Sequence, residues 1–283
     1  MDPHAAAQAE GERLYNARLA VPNFQQIFDG WAHASAHVRA STPCRLDLAY
    51  GPHVMERIDL FLPEGPPRGT LMYIHGGYWR SLDKSDASHV APPFAAAGYA
   101  VAVVNYALCP AVDVATIVAQ VRRAARWLAR HHARWDAPAA RLFACGHSAG
   151  GHLAAMLLAT EPGVAAAVCV SGLYDLRPLL QVPSVADITG FTPGSVAGLS
   201  PVLLAPRSDA ALLTALGDAE NPGFHQQFDT IRESWGHVHA GHVACPGLDH
   251  FTILDALTHA DGPIALAALR LMQSFDPPSG AST

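Results

Sequence analysis

Hydrophobic residues along this chain form short uninterrupted runs, which alternate with longer segments whose apolar residues recur at helical spacing. Strands are predicted at Thr70–Ile74, Tyr99–Asn105, Leu142–Cys145, Val164–Ser171, Ala211–Gly217 and His237–Ala244. Helices are predicted at Ser85–Ala97, Val112–His132, a segment ending at Thr160, Phe224–Trp235 and Ile264–Phe275. Strands that are apolar throughout are typical of parallel sheets covered on both faces. The pattern therefore predicts an α/β protein with a mostly parallel central sheet and helices on both faces.

Two segments ahead of the first buried strand instead alternate apolar and polar residues. Arg45–Tyr50 and Met55–Leu62 are separated by the turn sequence Gly51-Pro52-His53. They predict an antiparallel hairpin at one edge of the sheet.

The other segments are predicted to surround the sheet. Residues 1–40 are too few for a domain, so we expect a helical extension that packs over the main body and over the mouth of its site. Residues 172–207 are rich in proline, glycine and serine, which favours a small cap excursion that helps to roof a pocket. The tail 276–283 is expected to fray. Because neither a repeat nor a linker is present, we interpret residues 1–283 as a single domain.

Composition narrows the choice of partners and compartment. The net charge of −6 means that the chain has no overall excess of basic residues with which to bind nucleic acid. No apolar run approaches the roughly 20 residues of a membrane span, and the N-terminus has no secretory-signal pattern. The five scattered cysteines are interpreted as reduced, buried thiols. We therefore expect a cytoplasmic protein that binds neither nucleic acid nor membrane.

The most informative stretch is Gly146–Gly150, GHSAG, which lies between an apolar strand and an alanine-rich helical segment. In this strand–turn–helix context the pattern G-x-S-x-G places a serine on a sharp turn, with its hydroxyl exposed above the sheet edge. The small neighbours allow the backbone to pass closely, and the helix N-terminus directs free N–H groups at the same place. Ser148 is therefore the candidate nucleophile.

A serine nucleophile needs a base, and the base needs an acid to orient it. His250 follows the last predicted strand, where the base is expected in the chain order serine, acid, histidine. The acid is expected after the preceding strand, where Asp218 and Glu220 are both available. Spacing alone leaves these two open, whereas Asp249 is interpreted as a local loop residue.

The residues His75–Trp79, HGGYW, follow another predicted strand. Two adjacent glycines let the backbone turn its amides inward, and inward amides stabilise the oxyanion of an acyl-transfer reaction. The amide of Ala149, directly after the candidate nucleophile, would complete such an oxyanion hole. A plain strand-end turn is the alternative interpretation.

Together these motifs resemble the arylformamidases, the α/β-hydrolase kynurenine formamidases, which are close to the hormone-sensitive-lipase-like esterases. The resemblance covers roughly residues 45–275. It is carried by four segments in order: HGGYW, GHSAGG, G-x-x-E-x-x-x-F-x-x-Q from Gly217 to Gln227, and DHF from Asp249 to Phe251. The family's acid is the third residue after the glycine and is usually Asp; here it is Glu220. The resemblance thus implies Glu220 as acid, the amides of Gly77, Tyr78 and Ala149 as oxyanion hole, and no metal or cofactor.

The resemblance also implies a substrate, N-formyl-L-kynurenine, which the family cleaves to formate and kynurenine in tryptophan catabolism. Many members hydrolyse small aryl esters as well. Tyr78 and the tentative substrate-binding residue Trp79 would suit an aromatic leaving group, or would be packing residues. The expected partner is a small aryl formamide or ester. A homodimer is compatible with this interpretation.

Three other interpretations are open. His237, His239 and His242 form H-V-H-A-G-H; on a strand, His237 and His239 would share a face and suit a metal ligand pair, which zinc analysis and chelation would test. A second is a non-catalytic binding protein on the same fold. The third is a short-chain carboxylesterase without formamidase activity.

Overall fold

The computed structural model describes residues 2–137 and 141–276. Eight strands within these residues form one sheet in the order β1-β2-β4-β3-β5-β6-β7-β8. They are β1 Cys44–Ala49, β2 Arg57–Phe61, β3 Thr70–Ile74, β4 Ala100–Val104, β5 Leu142–His147, β6 Val164–Val170, β7 Ala211–Gly217 and β8 His239–Cys245. Strand β2 pairs antiparallel with β1 and β4, and all later pairings are parallel. The predicted mostly parallel sheet with an antiparallel edge is confirmed.

Helices connect and cover these strands. They are α1 Pro3–Tyr15, α2 Ala17–Ala20, α3 Phe24–Ser41, α4 Ala91–Ala96, α5 Val114–His131, α6 Ala149–Thr160, α7 Pro183–Thr189, α8 Pro193–Gly198, α9 Pro222–Ser234, α10 Asp255–Thr258 and α11 Pro263–Gln273. Strands β3, β4 and β5 are buried at every position. Because successive side chains point to opposite faces of a sheet, burial throughout means that both faces are covered. None of the helices in the described ranges has the length and apolar character needed to cross a bilayer.

The helix predicted at Ser85–Ala97 is wrong over its first half. That half forms two short 3₁₀ turns, Lys84–Asp86 and Ser88–Val90, and only Ala91–Ala96 is α-helical. Prolines lie in the first turn of α4, where their missing N–H groups cost nothing, and inside a longer helix they would remove hydrogen bonds. The other predicted helices are present with their ends shifted by a few residues.

The N-terminal helices and the excursion after β6 contact one another. The Glu12 carboxylate of α1 accepts hydrogen bonds from the Ser184 amide at 2.7 Å and from the Ser184 hydroxyl at 2.9 Å. Gly11 lies so close to the Gln181 carbonyl that a Cβ would approach its oxygen to 2.1 Å. The two segments therefore pack directly against each other, and their function as a roof over the site stays a prediction. Within the tail that was expected to fray, residues 277–283 lie outside the described ranges.

The turn between β5 and α6 depends on close backbone contact. A Cβ on Gly150 would come within 2.0 Å of the Ile74 carbonyl oxygen at the end of β3. We therefore expect Gly150→Ala to lower the free energy of unfolding by about 1–3 kcal/mol, since α6 must shift to admit the methyl group. Urea denaturation would measure this change.

Gly30 provides the matched control. It lies within α3, and a Cβ there would meet nothing within 4 Å. The same substitution, Gly30→Ala, should raise stability by about 0.5–1 kcal/mol because alanine is the better helix former. Equal effects of the two substitutions would contradict the packing argument.

Candidate active site

Ser148 occupies the turn between β5 and α6. Its backbone has φ 56° and ψ −119°, a conformation that non-glycine residues rarely adopt, and the residue is buried. Such strained residues cluster at functional sites, where the surrounding structure imposes them. Here the constraint is the tight turn: a Cβ on Gly146 would come within 2.2 Å of the Gly150 carbonyl oxygen.

Ser148, His250 and Glu220 lie in contact in that order. The distance from Ser148 Oγ to His250 Nε2 is 3.0 Å, and from His250 Nδ1 to Glu220 Oε2 it is 2.7 Å. With the proton on Nδ1 donated to the carboxylate, Nε2 is free to accept the serine proton. These groups follow β5, β7 and β8, because the carboxyl ends of parallel strands meet at one edge of the sheet.

The structure brings Glu220, and not Asp218, to the imidazole. The second oxygen of Glu220, Oε1, accepts hydrogen bonds from Ser171 Oγ at 2.6 Å and from the Gly217 amide at 2.9 Å, all in a buried setting. Asp218 is exposed, and its carboxylate accepts from the Gly247 amide at 2.6 Å. These two hydrogen bonds orient the Glu220 carboxylate toward the imidazole.

Asp249 lies beside the imidazole in sequence but points into its own loop. Its carboxylate accepts the amides of Phe251 at 2.8 Å and Thr252 at 3.0 Å. This local turn holds the segment that carries His250.

His147 is a site residue that sequence reasoning missed. Its Nε2 donates to the His250 carbonyl at 2.7 Å, and the two ring centroids are 4.8 Å apart. Burial, together with the neighbouring His250, lowers the pKa of His147 well below its usual value. His147 is therefore a neutral support for the His250 loop. Its position as the variable residue of G-x-S-x-G carries no signal of this contact.

The HGGYW segment turns sharply at the end of β3. Gly77, Tyr78 and Trp79 have φ values of 96°, 51° and 56°, and a Cβ on Gly77 would lie 2.2 Å from the Ser81 carbonyl oxygen. The segment is anchored where the His75 ring stacks on Tyr106 with centroids 4.3 Å apart.

Gly77 and Tyr78 line the same cavity as Ser148. Ala149 is the first residue of α6, so its amide has no partner within the helix. The assignment of these three amides to an oxyanion hole stays a prediction.

The cavity at Ser148 reaches under the N-terminal helices, since residues of α2 and α3 line it together with Ser148. Its aromatic wall includes Phe28, Trp31 and Phe251. Phe28 contributes a ring stacked on Trp31 at 4.9 Å and a second contact, edge-on to Phe251, at 5.1 Å. The N-terminal helices thus supply part of the site.

Trp79 is not part of this cavity wall. Its side chain is completely buried against His152 and Phe191, with ring centroids at 5.1 and 5.6 Å. Burial of so large an apolar surface stabilises the protein core. Of the two functions considered for Trp79, the structure therefore places it in packing.

The histidines near β8 do not form the His237–His239 pair that the alternative interpretation as a metal site requires. His237 lies in the turn before the strand and is exposed. An extra residue in β8 instead brings His239 and His242 to one hydroxyl: Thr214 Oγ1 is 2.9 Å from His239 Nε2 and 3.2 Å from His242 Nδ1. Within residues 2–137 and 141–276, no group of three or more His, Cys, Asp or Glu residues could hold a metal ion.

Comparisons with known proteins agree with this fold. The family model BD-FAE matches residues 58–178. A crystal structure from Silicibacter sp. tm1040, of a candidate thioesterase, superposes with a TM-score of 0.82 and 33% identity, covering 90% of this chain and 97% of that one. Esterase B from Lactobacillus rhamnosis superposes with a TM-score of 0.70 at 19% identity, covering 89% and 94%. The protein is a hydrolase with the α/β-hydrolase fold.

Curated relatives define the family more closely. Kynurenine formamidase from Salmo salar is 29% identical over 244 residues, which are 80% of this chain and 81% of the relative. The enzyme of that name from Danio rerio is 36% identical over 165 residues, 53% and 55% of the two chains. The chain belongs to the α/β-hydrolase family that contains the kynurenine formamidases, with esterases as structural neighbours. The resemblance inferred from four motifs is confirmed.

Proposed function

We propose that this protein is a serine hydrolase that removes the formyl group from an aryl formamide of the N-formylkynurenine type. The observation that carries the proposal is the hydrogen-bonded series Ser148–His250–Glu220 at the floor of an aromatic-walled cavity. The names of the curated relatives from Salmo salar and Danio rerio support the choice of substrate. A function in tryptophan catabolism belongs to the same proposal.

In this mechanism Ser148 Oγ attacks the formyl carbon while His250 Nε2 takes the hydroxyl proton. The carbonyl oxygen becomes an oxyanion, which the amides of Gly77, Tyr78 and Ala149 stabilise. Collapse of this intermediate breaks the C–N bond, and the imidazolium gives its proton to the departing arylamine.

The second half of the reaction hydrolyses the formyl-enzyme. Water attacks the ester carbon as His250 accepts one of its protons, and the imidazolium then returns a proton to Ser148 as formate leaves. Glu220 keeps its negative charge throughout, holding the imidazole in the required tautomer and stabilising its charged form.

The cavity wall suits the proposed leaving group. Phe28, Trp31 and Phe251 offer ring faces and edges on which an aminophenyl group would pack. Their contribution is binding and orientation of the aryl ring.

A short-chain carboxylesterase is the second candidate, favoured by the likeness of fold to solved esterases. The same series Ser148–His250–Glu220 would cleave an ester by the same steps. The two candidates therefore differ in leaving group and not in catalytic residues.

The deciding measurement compares kcat/KM for N-formylkynurenine with kcat/KM for p-nitrophenyl acetate. We expect the larger value for the formamide, although aryl esters are intrinsically more reactive, because binding of the natural leaving group lowers the barrier selectively. An acetyl thioester serves as a third substrate. Ester or thioester hydrolysis without measurable deformylation would contradict the formamidase proposal.

A further inference from the structure

Two arginines line the cavity together with Ser148. Arg18 belongs to α2, and Arg80 follows the HGGYW turn. Among the described residues, neither guanidinium lies within 4.0 Å of a carboxylate oxygen. We refer to Arg18 and Arg80 as the arginine pair. On a protein with a net charge of −6, it is a local concentration of positive charge beside the reacting atoms.

The guanidinium of Arg18 is held in place by neutral groups. Its Nη2 donates to Ser81 Oγ at 2.8 Å, and its carbon lies 5.3 and 5.5 Å from the ring centres of Phe24 and Phe28. Burial, together with the charge of Arg80, lowers the pKa of Arg18. An arginine nevertheless keeps its charge at neutral pH. The arrangement is therefore an oriented cation without its own counterion.

The Glu12 carboxylate, on which the charge of Arg80 acts, forms its hydrogen bonds with other groups. It accepts from Asn16 Nδ2 at 2.6 Å and from the amide and hydroxyl of Ser184. Although burial acts to raise it, these hydrogen bonds and the charge of Arg80 lower the pKa of Glu12. Glu12 therefore forms no ion pair with either guanidinium group of the arginine pair among the described residues.

We infer that the arginine pair forms an anion subsite that binds a carboxylate carried by the leaving group of the substrate. Guanidinium groups bind carboxylates through paired N–H donors, and such charge-assisted hydrogen bonds are stronger than those between neutral groups. The inference deepens the proposed function, on which it rests for the reaction at Ser148. It names the substrate class as aryl formamides or esters whose aryl portion carries a carboxylate.

Matched substrate pairs test the subsite. One pair is 3-acetoxybenzoate and 3-acetoxybenzamide; the other is N-formylkynurenine and its carboxamide. Within each pair the cleaved bond is the same and only the carboxylate is lost. The readout is the ratio of kcat/KM for the acid to kcat/KM for the amide, with kcat and KM also resolved separately.

The expected ratio in the unmodified enzyme is well above one. In the double variant Arg18→Met/Arg80→Met we expect it to fall about tenfold to a hundredfold, mainly through KM, because the charged hydrogen bonds are lost. Arg18→Lys/Arg80→Lys should recover part of the ratio. Arg13→Met is the matched control: Arg13 is on the neighbouring α1, exposed and paired with Glu10, so the ratio should stay unchanged.

A ratio near one in the unmodified enzyme, or one that the double variant leaves unaltered, would overturn the subsite. If the double variant lost kcat/KM equally for the acid and for the amide, the arginines would have a packing function only, and this result would also overturn the subsite. The pair of 3-acetoxybenzoate and 3-acetoxybenzamide keeps this test separate from the formamidase proposal. The enzyme can show a preference for the acid over the amide in this pair even if it cleaves no formamide. If the double variant does not fold, Arg80→Met and the salt dependence of the unmodified enzyme take its place. Added NaCl should then raise KM for the acid and not for the amide.

Discussion

Replacing Ser148 with alanine should lower kcat about 10⁴- to 10⁶-fold for both N-formylkynurenine and p-nitrophenyl acetate. The substitution removes the atom that attacks the acyl carbon of the substrate in the proposed mechanism, and the imidazole at 3.0 Å then has no serine hydroxyl to deprotonate. The remaining rate would come from the oxyanion hole and from binding alone. Initial rates at saturating substrate, with the thermal unfolding of both proteins compared, would measure the effect.

Covalent labelling adds an independent check. A fluorophosphonate should add to the unmodified protein once, at Ser148, and should not add to Ser148→Ala, as read by intact mass and peptide mapping. Ser234→Ala is the control, since Ser234 is exposed at the end of α9. It should be labelled like the unmodified protein. Absence of labelling in the unmodified protein would instead favour a non-catalytic binding protein.

The second large effect is expected for Glu220→Gln, which should lower kcat about 10³- to 10⁴-fold. The carboxylate accepts from His250 Nδ1, Ser171 Oγ and the Gly217 amide. A glutamine amide has a single acceptor oxygen, so its NH₂ group would face either the imidazole or the Ser171 and Gly217 donors. The imidazolium formed during the reaction would also lose its stabilising charge. Steady-state kinetics on either substrate would measure the loss.

Asp218→Asn provides the comparison, because Asp218 is exposed and its carboxylate accepts the Gly247 amide. It should change kcat only a few-fold, through the loop that it supports. A greater loss from Asp218→Asn than from Glu220→Gln would show that the acid is wrongly assigned. The loss of kcat in Glu220→Asp should be intermediate between those two losses, since shortening the side chain draws its oxygens away from His250, Ser171 or both.

Much of the fold could be predicted because it depends on local chemistry. The limits of β3 and β7 coincide with the predicted runs Thr70–Ile74 and Ala211–Gly217, where every residue is apolar or small and turn sequences bound each run. The helix predicted at Ser85–Ala97 failed for an equally local reason: Pro92 and Pro93 favour the first turn of a helix over its interior. The two prolines are a local sign that the helix begins near them, but the helical spacing of the apolar residues before them favours a longer helix.

The sequence by itself determined the alternation of strands and helices, the turn that holds Ser148, and His250 as the partner expected after the last strand. These follow from burial patterns and backbone preferences over a few residues. Only the tertiary structure decided that Glu220 reaches His250 while Asp218 does not, that Trp79 packs in the core, and that Arg18 joins Arg80 at the cavity. The reason is distance along the chain: Ser148 and His250 are 102 positions apart, and Arg18 and Ser81 are 63 apart. Contacts of this kind depend on how the whole chain packs, which no local pattern records.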